Sequence, residues 1–345
     1  MSNPVLVDIY RSDVLESFHR GVVCIVNENN EIVFSCGNVN QICYPRSAMK
    51  LLQVLPLIIH GGIEKFGFTL EEIAIMCGSH NAEQEHLHVV NSILDKIGLT
   101  KENLNCGAQY PTNRKEADAL IKLGIKPHHI HNNCSGKHAG MLAMCKLMNW
   151  QINDYINPNH PLQQLIKETC SIMYEYPIEK MTTALDGCSA PIFSIPVLNQ
   201  AIAYKNLISN KHLPKAIQDA CKIVVDAVSK FPNMIAGTNR YCTDMMKITA
   251  PKIIGKTGAE GIFCMTFTNQ KLGVCIKIDD GKMLPQYIVA QAIVDASNIF
   301  SKEELVPLNK YLDEPLTNFN KLITGNVTVN AKFKESIAES FKTIF

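Results

Sequence analysis

Along the 345-residue chain the spacing of apolar positions changes character twice. From Val22 to Phe34, "VVCIVNENNEIVF", two β-branched runs flank a polar, asparagine-rich turn, which is the pattern of a β-hairpin. "GIFCMTFTNQKLGVCIKI", Gly261 to Ile278, repeats it around "TNQK", and "LPQYIVAQAIVDASNIF" after it has helical spacing. Between the hairpins the spacing predicts helices over Leu70 to Met76, Glu83 to Ile97, Lys115 to Leu123, Ala139 to Leu147, Pro161 to Met173 and Pro214 to Ser229. The run "LLQVLPLII", from Leu51, is apolar on nearly every face, as in a buried helix lying against the sheet, and Pro56 should kink it or end it early. Strands at both ends with helices between them predict an α+β fold: one antiparallel sheet from the two termini and an inserted helical subdomain. The sheet part would take about residues 1–68 and 250–345 and the helical part about 69–249 of a single unit. The tail from Ser301 is the least informative segment.

The formal net charge is +1, from 33 basic and 32 acidic residues with no basic block, which argues against a nucleic-acid partner and for a small molecule. No segment is long and apolar enough to span a bilayer, and "MSNPVLVDIYRSDVLESFHRG" has no apolar core of signal-peptide length. A soluble, cytoplasmic protein is expected. Thirteen cysteines without a CxxC pair suit a reducing compartment, most of them as small buried apolar residues.

Candidate chemistry begins at "YPRSAMK", Tyr44 to Lys50. Residues three apart on a helix share a face, so Lys50 can reach the Ser47 hydroxyl and, when neutral, take its proton. Lysine is neutral only where burial or another cation lowers its pKa, and Arg46 and Lys256 are the candidate cations. A serine in a first turn also gains from the free N–H groups and the positive end of the helix dipole. Taken alone, SxxK is more often a helix cap and a solvated lysine. "GKTGAEG", Gly255 to Gly261, adds the Lys-Thr-Gly strand that accompanies SxxK in penicillin-binding proteins and class A β-lactamases, in the same order along the chain.

Three more motifs follow: "CGSHN" at Cys77 to Asn81, "NNCSGKHAGML" at Asn132 to Leu142 and "DGCSAP" at Asp186 to Pro191. Together with "RSAMK" and "GKTGAEG", they resemble those of the Rhizobium-type L-asparaginases, the asparaginase II family related in fold to serine β-lactamases and glutaminases. The resemblance runs from near the N-terminus to about Asp280. It implies a serine β-lactamase-like or penicillin-binding-protein-like fold, a homodimer, and hydrolysis of L-asparagine to L-aspartate and ammonia by two serine and lysine pairs, Ser47 with Lys50 and Ser79 with Lys256. Ser47 is favoured as nucleophile for its helix terminus, with Ser79 as the rival. It also implies a zinc ion held by Cys134, Lys137 and Cys188.

Amide hydrolysis needs a nucleophile, a base that later serves as acid, and donors for an oxyanion. Two lysines held close together cannot both be charged at low cost, so one should act as base while the other stays cationic. A desolvated amino acid needs both its charges compensated, for which Arg46 is the candidate at the α-carboxylate and Asp186 at the α-ammonium. His80 and His138 would border the pocket, His80 beside Ser79 as a further candidate to meet the substrate and His138 beside Lys137 to orient it. Three other readings stay open: a glutaminase, since one methylene separates the substrates; a penicillin-recognising serine hydrolase; and a non-catalytic amino-acid sensor. The second lacks an SDN-like element and an export signal.

Overall fold

The computed structural model describes residues 2–344. The chain divides into two compact units, one comprising residues 1–48, 196–206 and 247–345 and the other residues 49–195 and 207–246.

The first unit is built on an eight-stranded antiparallel sheet. Its order is Asp313–Thr317, Ile323–Val329, Val5–Arg11, Val14–Val26, Leu272–Ile278, Ile262–Phe267, Ile253–Thr257, with Ile32–Cys36 also paired to Val14–Val26. Both expected hairpins are present, the first with its leading strand begun earlier, at Val14. Every residue of Ile262–Phe267 and Leu272–Ile278 is buried, so both faces of these strands are covered. Helix Val197–Asn206 covers one face. It approaches closely because Gly273 has no side chain; a Cβ there would lie 2.1 Å from the Ala201 carbonyl oxygen. Helix Met283–Ala296 covers the other, with the Tyr287 ring edge-on to Phe263 at 6.3 Å. Helix Ala331–Ile344 adds Phe341 against Phe267.

The tail that predicted little thus supplies two strands and a helix. Val5–Arg11 was also missed: Asp8 interrupts its apolar run, buried and accepting a hydrogen bond from Asn330 Nδ2 at 2.8 Å.

The second unit is helical. Helices stand at Leu70–Met76, Gln84–Lys96, Arg114–Lys122, Pro161–Tyr174 and Lys215–Lys230, within a residue of their expected ends. Helix Ser135–Leu147 begins four residues earlier than its spacing suggested, so "CSGK" is its first turn and not a preceding loop. The run after Ser47 breaks into Lys50–Gln53 and Leu55–Ile59, with Pro56 in the first turn of the second piece, where its missing N–H is harmless. Lys50–Gln53 packs beside Pro161–Tyr174, and the helix laid on the sheet is Val197–Asn206. The first boundary therefore falls at residue 48, earlier than the expected 68.

Candidate functional site

In the helical unit the site grows from the end of helix Leu70–Met76. The chain turns at Gly78, where a Cβ would stand 2.3 Å from the Met234 carbonyl oxygen, and Ser79 N–H donates to Ile235 O at 2.8 Å. Gly136, in the first turn of Ser135–Leu147, is as tightly placed, since a Cβ there would lie 2.4 Å from the Ile75 carbonyl oxygen. Two glycines thus let three backbone segments meet around Ser79.

Lys50 enters this meeting point almost wholly buried. Its Nζ donates to Gly78 O at 2.6 Å, Ser79 Oγ at 2.9 Å and Cys134 Sγ at 3.1 Å. Three acceptors match the three N–H groups of an ammonium. After loss of one proton, the carbonyl and the sulfur suffice for the remaining two N–H groups, and the lone pair faces the Ser79 hydroxyl. Lys50 is therefore placed to exchange a proton with Ser79.

Cys134 opens helix Ser135–Leu147, and its N–H donates to the Asn132 side chain at 2.9 Å. Its thiol donates to Asn133 Oδ1 at 3.1 Å. The neighbouring Cys134, then Lys137 and His138, act against burial to hold the Cys188 thiol well below its ordinary pKa. Cys188 and burial together push Cys134 the other way, well above it. Cys188 comes from the turn Asp186–Ala190 between the paired short strands Thr183–Leu185 and Pro191–Phe193. Lys137 Nζ donates to Cys188 Sγ at 2.9 Å. Burial opposes the charge on Lys137, but the two sulfurs and Asp186 outweigh it and raise its pKa.

The two histidines are both fully buried. His80 Nδ1 accepts from Ala82 N–H at 3.2 Å, so Nε2 carries the proton and donates to Ser135 Oγ at 2.9 Å, tying the Ser79 loop to the start of the next helix. Both ring nitrogens of His80 are thus engaged within the protein. Burial, followed by His86, Lys50 and Arg240, pushes its pKa well below the usual histidine value. His138 Nδ1 meets the Tyr155 hydroxyl at 2.8 Å, while Nε2 has no hydrogen-bond partner; burial lowers its pKa to about 4.

The sheet unit holds Arg46, Ser47 and Lys256. Lys256 lies on strand Ile253–Thr257, fully buried, and its Nζ donates to Thr257 O at 2.9 Å. The "GKTG" end of this strand abuts the "PRS" turn: a Cβ on Gly258 would be 2.4 Å from Pro45 O, and Arg46 stands 3.7 Å from Glu260 Oε1. Tyr204 holds the same turn by donating to Ala48 O at 2.8 Å. The two motifs, far apart in sequence, are thus neighbours, as functional use of both requires. Ser47 is half-buried in the 3-10 turn Arg46–Met49, which runs directly into helix Lys50–Gln53.

A metal needs a convergent donor set. Among the described residues, the one group of three histidine, cysteine or carboxylate donors close enough to share an ion is Glu83, Glu85 and His86. Both ring nitrogens of His86 are already hydrogen-bonded, to Glu83 N–H and Asn233 O, so this group does not fit. Cys134, Cys188 and Lys137 form a different set, two sulfurs and an amine, all buried, with Lys137 Nζ on Cys188 Sγ at 2.9 Å, and two sulfur donors suit zinc. The stretch "RYCTDMM" from Arg240 carries no assigned role from sequence, being less exact than the five motifs, yet Arg240 Nη1 donates to Asn81 Oδ1 at 2.9 Å; Tyr155, which meets His138 Nδ1, lies in no motif at all.

No curated protein matches the sequence. Among solved structures the chain is similar to a β-lactamase from Mycobacterium bovis, with 11% identity, a TM-score of 0.39 and coverage of 80% of this chain and 94% of that one. It is also similar to a protein of Bacteroides dorei assigned as a β-lactamase, with 10% identity, a TM-score of 0.42 and coverage of 75% and 84%. The family model for L-asparaginase II matches residues 7–329, a span that takes in all five motifs, and the chain belongs to that family.

Proposed function

We propose that this protein hydrolyses the side-chain amide of L-asparagine, giving L-aspartate and ammonia, by serine and lysine chemistry. Family membership supports an asparaginase-type amidohydrolase. The observation that carries the mechanism is the setting of Lys50, whose amine has a carbonyl, a sulfur and the Ser79 hydroxyl as its neighbours.

In this reading the Ser47 oxygen attacks the side-chain carbonyl carbon while its proton passes to neutral Lys50. Ser79, hydrogen-bonded to Lys50, relays that proton to the amide nitrogen, the C–N bond breaks, and ammonia leaves an aspartyl ester on Ser47. Water then attacks the ester carbonyl with Lys50 again as base, the ester C–O bond breaks, Lys50 returns the proton to the Ser47 oxygen, and L-aspartate leaves. Lys256 remains cationic and stabilises negative charge. Measuring ammonia release from L-asparagine and L-glutamine tests the reading. Ser47→Ala and Lys50→Ala should each lose about 10²- to 10⁴-fold in kcat. A wild-type protein inactive on both amides contradicts it, and activity on glutamine alone transfers the same chemistry to the longer substrate.

We further propose that Cys134, Cys188 and Lys137 hold a zinc ion, with Lys137 giving up its proton on binding. When bound, the ion would organise the pocket and orient the substrate, and the serine would remain the nucleophile. Chelation is accordingly expected to raise KM more than it lowers kcat. Loss of turnover at saturating asparagine with the fold intact, read by circular dichroism, would contradict this role.

A further inference from the structure

The segment Met234–Arg240 forms one wall of the Ser79 loop, although its sequence pointed to no chemistry. Gly78 packs on the Met234 carbonyl and Ser79 bonds to Ile235 O. Gly237, at φ +108°, lies so close to Asn81 that a Cβ would come within 2.7 Å of its Nδ2. Side chains then lock the two segments together. Asn81 Nδ2 donates to Thr238 O at 3.0 Å and to Glu83 Oε1 at 3.1 Å, which fixes its Oδ1 as the acceptor for Arg240 Nη1 at 2.9 Å.

Arg240 is half-buried, and among the described residues no carboxylate lies within ion-pair distance of it. The nearest acid in the network, Glu83, already accepts from Asn81, Asn113 and both the N–H and the hydroxyl of Thr238. One arm of the guanidinium is therefore anchored two residues from Ser79, and its other donors face no fixed anion. A partly desolvated guanidinium in that state is a receptor for a planar carboxylate. Arg240 acts on the His80 ring, so its charge lies close to the loop carrying Ser79. Arg46, the other arginine near a motif, already has Glu260 beside it at 3.7 Å.

We infer that Arg240 binds the α-carboxylate of the amino-acid substrate through the donors that Asn81 leaves open. The inference rests on the amidohydrolase reading and names the group that would restrict it to free amino acids. Asn81 is the positioning residue that aims the fork.

The test compares L-asparagine with its α-methyl ester, which has the same side-chain amide but no α-carboxylate. Arg240→Gln is expected to lower kcat/KM for asparagine by about 10- to 100-fold, mainly through KM, the size of losing a charged hydrogen-bonded contact. With the ester, the change should stay within about threefold. Arg240→Lys keeps the charge without the fork and should fall between, and it serves as the comparison if Arg240→Gln melts at lower temperature. Equal losses on the two substrates, or no loss on asparagine, would overturn the inference. If the wild-type protein hydrolyses neither, the amidohydrolase reading has failed by itself. Calorimetric binding of L-aspartate to wild type and Arg240→Gln then decides: affinity weakened at least about tenfold supports the inference, and equal affinity or no binding overturns it.

Discussion

At the scale of single residues, His80 shows how the site combines burial with charge. Its ring is enclosed, both nitrogens are hydrogen-bonded in the neutral tautomer, and after burial itself the neighbouring His86, Lys50 and Arg240 oppose protonation. A histidine in the unfolded chain titrates near 6.5 and the folded one lower, so below that pH the unfolded state gains a proton that the native state refuses. Stability is therefore fully present above about pH 6.5 and is lost as pH falls toward the native value. The expected slope from this residue is about 1.4 kcal/mol per pH unit. Urea unfolding from about pH 7 down to about pH 5 should show the His80→Gln variant losing stability less steeply than wild type by that amount. Identical slopes would mean that His80 takes up its proton in the folded protein. The sequence placed His80 beside Ser79, but its role turns on Ser135 and Ala82, partners that residue type alone does not reveal.

Elements explain why the motifs carry so many glycines. Gly78 and Gly136 let a helix end, a loop and a helix start meet with backbone against backbone, and Gly258 lets the "GKTG" strand meet the turn that holds Ser47. Gly258→Ala would place a methyl 2.4 Å from Pro45 O, so either strand or turn must shift. We expect a destabilisation of about 1–3 kcal/mol and a loss of activity beyond what the fraction unfolded explains, since about 1 Å of displacement costs about 10²-fold in rate. Thermal melts read beside turnover at low temperature check this; normal turnover would show that the turn is not positioned by the strand. Helices with clear periodicity, such as Leu70–Met76, were legible nearly to the residue. Strands were legible where both flanks are local hairpins. Asp313–Thr317 was hidden by Pro315, which suits a strand at the sheet edge, and Val5–Arg11 by its dependence on Ile323–Val329 from the other end of the chain.

Across the whole molecule, the residues expected to act together fall in two compact units. Arg46, Ser47 and Lys256 belong to the one built from both chain ends, and Lys50, Ser79, Cys134, Lys137 and Cys188 to the helical one. The segment Arg46–Gln53 passes from the first unit to the second, so the candidate nucleophile and base stand on either side of that passage. The residue types were visible in the motifs. Their pairing was not, because spacing pointed Lys50 at Ser47, whereas the structure adds Ser79, Gly78 and Cys134, from segments that only tertiary folding brings to it. That Lys50 serves an ester-forming serine is the centre of the account. Acid-quenching wild-type protein during turnover of L-asparagine and mapping the aspartyl ester by peptide mass spectrometry tests it most directly. An ester on Ser47 that is absent from Lys50→Ala is the predicted result, and no ester on either Ser47 or Ser79 during active turnover would contradict it.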